Sequence, residues 1–115
     1  MERPLLVYTT FPDAETALAV GEALVRARLA ACVNVLPGMR SVYAWNGVVA
    51  HGTEVVAILK TRAGLKDALA AALKAGHPYA TPIILHIDVA DADAGTAAWL
   101  LAETQAAETQ GPPAG

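Results

Sequence analysis

Cys32 is the one thiol in this chain of 115 residues, and His51, His77 and His86 are its only imidazoles. A thiolate is a soft ligand suited to Cu(I) or Zn(II), and imidazole suits copper and zinc. Cys32 opens an apolar stretch, where cysteine usually packs as an inert small hydrophobe. No histidine lies within a few positions of it. Neither HxH, HxxxH nor CxxC spacing occurs, so the strong zinc signals are missing. His77 precedes a proline at the expected exit of a helix. Its ring could take a metal, donate to a ligand, or complement the negative end of that helix. His51 sits beside a hairpin turn and reads as solvated. His86 lies between Leu85 and Ile87 in an expected strand and reads as facing a subunit contact or solvent.

Asp88, Asp91 and Asp93 are clustered but lack the glycine and terminal glutamate of an EF-hand loop. A turn followed by a helix cap explains them better. There is no glycine-rich phosphate loop, no GxSxG and no pair of carboxylates flanking a cleft. Spacing therefore proposes no nucleophile and no general acid–base pair.

Binding chemistry has more to stand on. Tyr43 and Trp45 are two apart in an expected hairpin, so they share a face. Aromatics on a projecting hairpin are favoured in interface cores. Lys60 ends a central strand, where it could anchor an anion or reach solvent over a packed stem. Asn34, Tyr43, Trp45, Glu54, Lys60, His77 and Tyr79 together mix polar tips with apolar bodies. That is the chemistry of a ligand cleft between subunits. It is equally the chemistry of subunit packing with no ligand, and the residue types leave both open.

The elements that must position these residues follow from periodicity. Residues 5–9 form a nearly continuous apolar run, as in a strand buried on both faces. Asp13 can cap a helix over 14–31, with Ala17, Val20 and Leu24 in one stripe flanked by Leu18, Val25 and Leu29. Residues 32–36 read as a strand, Pro37-Gly38 as a turn, and 39–45 as extended again. Asn46-Gly47 is a strong hairpin signal. Residues 53–61 hold a central-strand run. A second helix opens at Gly64 and places Leu65, Leu69, Ala72 and Leu73 on one face. Gly76 is expected to end it as a left-handed cap, with Pro78 beyond. Residues 82–89 are the last strand, and Asp93 could cap a short helix reaching about Glu103.

The order strand, helix, strand, strand, helix, strand is the split βαβ pattern of an α+β ferredoxin-like sandwich. This one carries an extended central hairpin and a short C-terminal helix. Residues 1–105 are expected to form a single domain, and 106–115 a disordered tail ending in Gly-Pro-Pro-Ala-Gly.

Composition narrows the function classes. The chain is 55% hydrophobic and only 17% charged, against roughly 25% charged in ordinary globular chains. A domain this small has little interior to hide the excess, so a subunit interface is expected. The net charge of −3 and the absence of a basic cluster argue against nucleic acid and against a polybasic membrane contact. No apolar run approaches a membrane span. Met1-Glu2-Arg3-Pro4 leads straight into the first strand, unlike a signal peptide. With one cysteine and no internal disulfide, a reducing cytoplasm is the expected compartment.

Five segments carry a resemblance. They are Thr10-Phe11-Pro12-Asp13; Leu29-Ala30-Ala31-Cys32-Val33-Asn34 leading to Pro37-Gly38; Ser41-Val42-Tyr43-Ala44-Trp45-Asn46-Gly47; Glu54 followed by Lys60-Thr61; and His77-Pro78-Tyr79-Ala80-Thr81-Pro82. In this order and spacing, over about residues 5–102, the chain resembles the CutA family of divalent-cation-tolerance proteins. The resemblance implies a homotrimer of ferredoxin-like subunits, similar in architecture to the PII signalling proteins. It also implies a non-enzymatic role in metal tolerance, with copper or another divalent metal as the ion.

The sequence departs from the family pattern at four places. Thr9 stands where a cysteine has been associated with copper, and Gly76 where a second histidine can precede His77. Ile83 replaces a glutamate, and Ala102 replaces a tryptophan. The expectation is weak metal binding centred on His77, with Cys32 as second candidate. The alternative is a PII-like sensor that binds an anion in an inter-subunit cleft around Lys60 and His77. An acylphosphatase-like enzyme ranks last, because Thr10-Phe11-Pro12-Asp13 is not a glycine-rich phosphate loop.

Overall fold

The computed structural model describes residues 2–105; the tail expected at 106–115 lies outside the described residues. Eight elements follow in order: β1 Pro4–Phe11, α1 Ala14–Arg26, β2 Cys32–Trp45, β3 Val48–Arg62, a 3-10 turn Ala63–Leu65, α2 Lys66–Gly76, β4 Ile84–Asp88 and α3 Ala94–Glu103. The four strands make one antiparallel sheet in the order β2-β3-β1-β4. That is the ferredoxin-like arrangement expected from the element order. Among the described residues no helix is long and apolar enough to cross a membrane.

Strand residues alternate between two faces. Leu5, Val7, Phe11, Val55, Ala57 and Leu59 point to one side and are buried, with Ala17 and Leu24 of α1 and Leu69 and Leu73 of α2 packed on them. The other side carries Leu6, Tyr8, Val56 and Ile58, all half-buried, so β1 is not enclosed on both faces as its run of apolar residues suggests. On α1 the stripe is Ala17, Gly21 and Leu24. Leu18 and Val25, expected to flank it, are exposed. The helix also stops at Arg26 rather than 31, because Arg28 takes a left-handed turn at φ 61°. Asp13 caps its start, accepting from Thr16 N at 2.7 Å.

Two glycine readings change. Pro37-Gly38 is not a turn between strands. β2 runs through it, with a register shift between Leu36 and Met39 that lets Gly38 sit at φ 83°. The bulge bends one strand instead of reversing it. Gly76 is not a left-handed cap, since α2 ends into an extended His77. Asn46-Gly47 does reverse the chain, at φ 51° and 78°, the double positive pair of a tight hairpin. Pairing with β1 stops at Phe11 and Val55, so the hairpin from Met39 to Glu54 projects past the sheet and lengthens the domain to 49 Å.

Nothing in the sequence singled out Arg62. It is 7% exposed, at the end of β3. Its guanidinium donates to Thr104 Oγ1 at 2.9 Å, to Leu101 O at 2.6 Å and to Thr104 O at 3.2 Å, and pairs with Glu2 at 3.1 Å. Arg28 donates to Ala102 O at 2.7 Å, and Gln105 returns bonds to Ala27 and Arg28. These contacts fasten the end of α3. Its start is held differently from expectation: the Asp93 side chain makes no cap bond, and its backbone carbonyl accepts from Ala97 N at 2.9 Å.

Thr9 faces the core opposite Ala57 and Ile84, fully buried, and its hydroxyl has no partner among the described residues. An unpartnered buried hydroxyl is destabilising, and valine has the same shape without it. Thr9→Val is expected to stabilise the fold by about 1 kcal/mol, read as a higher unfolding midpoint in denaturant. A midpoint that falls would mean that the hydroxyl is bonded in solution.

Candidate functional site

A constellation of polar groups lies where the hairpin leaves the sheet. Phe11 ends β1, and His77 leaves α2 beside it. The two rings stack at 4.2 Å between centroids and 18° between planes. His77 is buried. Its Nδ1 accepts from the Tyr79 backbone N–H at 3.1 Å, so Nε2 carries the proton and donates to the Thr10 carbonyl at 2.7 Å. Both ring nitrogens are thus engaged within the chain. Pro78 keeps the segment extended after α2, and Tyr79 packs against the imidazole at 5.0 Å, tilted by 45°.

The Tyr79 hydroxyl reaches Glu54 at the base of the hairpin, donating to Oε2 at 2.8 Å; Ser41 donates to Oε1 at 3.4 Å. Glu54 is on the sheet face away from the helices, in step with Val56 and Ile58. The segment 77–79 therefore rounds the end of β1 from the core side to the bare side. Desolvation first, then the hydrogen bond to Glu54 and its negative charge, push the Tyr79 phenol up to about 12. The chain Thr10–His77–Tyr79–Glu54–Ser41 ties α2, β1 and the hairpin base together.

The other expected cleft residues are elsewhere. Asn34 and Lys60 lie on the bare face, Asn34 opposite Ile58 and Lys60 opposite both Leu6 and Cys32. Six residues separate Lys60 from Glu54, roughly 20 Å along the strand. Tyr43 and Trp45 share the bare-side face of the hairpin, beyond Glu54, and both are exposed. Three of the seven, Glu54, His77 and Tyr79, are joined by hydrogen bonds, and Tyr43 stands near enough to add to the rise of the Tyr79 phenol; Asn34, Lys60 and Trp45 do not join them.

The two metal candidates are also apart. Cys32 is a half-buried free thiol on the bare face, whereas His77 stacks on the core side. Among the described residues no three His, Cys, Asp or Glu side chains group as a metal site. His51, opposite Val42, and His86, opposite Val7, are both exposed. Asp88, Asp91 and Asp93 are exposed too, and Asp91 accepts from Ala92 N in a local turn.

The Tyr79 shift carries a pH dependence. A phenol whose folded pKa is about 12, above the ordinary value near 10, stabilises the fold below about pH 10, and that contribution disappears as pH rises through 12. Absorbance titration should show one tyrosine ionising near 12. Tyr79→Phe should remove that step, and Glu54→Gln should lower it only in part, because desolvation remains. A wild-type profile with every tyrosine near 10 would overturn the assignment.

Three comparisons place the chain among known proteins. Residues 5–103 match the family model described as CutA1 divalent ion tolerance protein. A Pyrococcus horikoshii protein named divalent-cation tolerance protein CutA is 45% identical over 101 residues, spanning 88% of this chain and 98% of the relative. A Thermus thermophilus protein of the same name is 38% identical over 104 residues, spanning 90% and 99%. The crystal structure of the divalent ion tolerance protein CutA1 from Ehrlichia chaffeensis superposes with a TM-score of 0.86 at 34% identity, covering 92% of this chain and 99% of that one. The fold, the five quoted segments and these likenesses agree, and the chain belongs to the CutA1 family of divalent ion tolerance proteins.

Proposed function

We propose that this protein serves divalent metal tolerance as a homotrimer, without a catalytic step, in a reducing cytoplasm, and that any ion it holds sits between subunits. The observation that carries the reading is the bare face of the sheet. Leu36, Tyr43, Trp45, Leu85 and Ile87 all point there and are exposed, Trp45 at 63%. Apolar surface of that extent is costly in water and is what a second and third copy would cover. The outer edges of β2 and β4 are unpaired in one chain and would be protected by the same assembly.

Light scattering should report about three chains per particle, and a clean monomer at micromolar concentration would overturn the reading. Trp45→Ala should lower trimer stability by about 3 kcal/mol if the indole is covered by a neighbour. An unchanged melting temperature and mass would leave Trp45 solvent-exposed in the assembly.

The ion is proposed to be copper, held weakly. Support comes from the chemistry of Cys32 and from its place on the bare face, where copies could bring their thiols or another chain's donors within reach. His77 would contribute only by giving up its bond to Thr10 or to Tyr79. Copper titration of the assembled protein should give weak binding that is lost in Cys32→Ser. Tight binding retained in both Cys32→Ser and His77→Gln would refute both ligands.

A second reading, an anion sensor, rests on Lys60. It is half-buried on the bare face, and the ion pairs among the described residues are Arg26–Glu22 and Arg62–Glu2, leaving its ammonium without a carboxylate.

A further inference from the structure

A groove of about 480 Å³ separates α2 from β4 on the helix side of the sheet, opposite the bare face. Ala70 and Lys74 line it from α2, one turn apart. Thr81 lines it from the connecting segment, and Ile84 and His86 from β4, two apart and so on one face. Ala70 and Ala80 contribute only small side chains to the lining.

The charge of this groove runs against that of the chain. The protein carries 11 acidic and 8 basic residues. Yet the lining holds an ammonium, an imidazole and a hydroxyl, and no carboxylate. Asp67 and Asp88 stand further along α2 and β4, exposed and outside the lining. Neither Lys74 nor His86 takes part in an ion pair among the described residues. A volume of about 480 Å³ falls within the range of small-molecule sites.

We propose that this groove binds a small oxyanion, a phosphate group or a carboxylate, between Lys74 and His86, with the Thr81 hydroxyl as an additional donor. Lysine holds such a group as a point charge, and an imidazole N–H adds a directed donor. This site is separate from the proposed metal site, and its test needs no metal, so the two can fail independently.

The experiment is an amide-shift NMR titration of the chelator-treated full protein with inorganic phosphate and, separately, with citrate. Saturable shifts at residues 70, 74 and 80–86 are expected, weakening at higher salt. Phosphate alone, or citrate alone, would name which oxyanion the groove prefers. Lys74→Gln and His86→Gln should each weaken binding about fivefold or more. Both side chains are exposed, and an unchanged spectrum away from the groove confirms that each variant is folded. The proposal is overturned if no saturable shift appears up to roughly tens of millimolar. It is equally overturned if the double variant binds as wild type does.

Discussion

Every residue in these strands must point to one of two faces, and α1 and α2 pack on only one of them. Most of the structure depends on that constraint. On the covered side, Leu5, Val7, Phe11, Ala57 and Leu59 meet α1 and α2 and make a dry core. On the uncovered side the same strands are apolar again, in Leu6, Tyr8, Val56, Ile58, Leu85 and Ile87. Neither face can be turned polar by shifting register, since a one-residue slip exchanges the two. The apolar excess of the composition is therefore located: it is the second face of the sheet, together with the aromatic side of the hairpin that extends it.

The polar chain at the hairpin base is a consequence of the same layout. A hairpin that overshoots its neighbour β1 leaves the end of that strand open, and the first residues after α2 occupy it. His77 and Tyr79 are two apart, far enough to place one ring on the core side of Phe11 and the other's hydroxyl on Glu54. Their chemistry groups them among the candidate cleft residues, but in space they form a brace. A histidine whose two nitrogens already have partners must lose one bond to accept a metal, which shifts attention to the less committed thiol of Cys32.

How much of this was legible follows from the range of each signal. Helix faces and the Asn46-Gly47 reversal are local, and Leu65, just before α2, and Leu69 and Leu73 within it are buried as their spacing indicates. The bulge at Pro37-Gly38 has the same residue types as a turn; only pairing across to β3 distinguishes them. Leu18 and Val25 fail because an apolar residue beside a stripe is not obliged to be buried. Glu54 and Tyr79 are 25 residues apart and were grouped by chemistry alone, which also swept in Lys60 from the far end of the sheet and Asn34 from its middle. Arg62 gave no sign at all, because its four bonds join segments from both ends of the sequence.

That guanidinium has a topological corollary. Glu2 and Thr104 both touch one planar group a few ångströms across, at 3.1 and 2.9 Å. The path of the described chain is therefore almost a closed ring. A short flexible bridge could splice residue 104 back to residue 2, because neighbouring ends are what tolerates such rewiring. The ring could then be opened at Asn46-Gly47, where the reversal is exposed and belongs to no core. New ends at that tip would each carry one free-standing strand of the former hairpin. Comparing how such a permuted chain folds with how it assembles would separate what the hairpin does for a subunit from what it does between subunits.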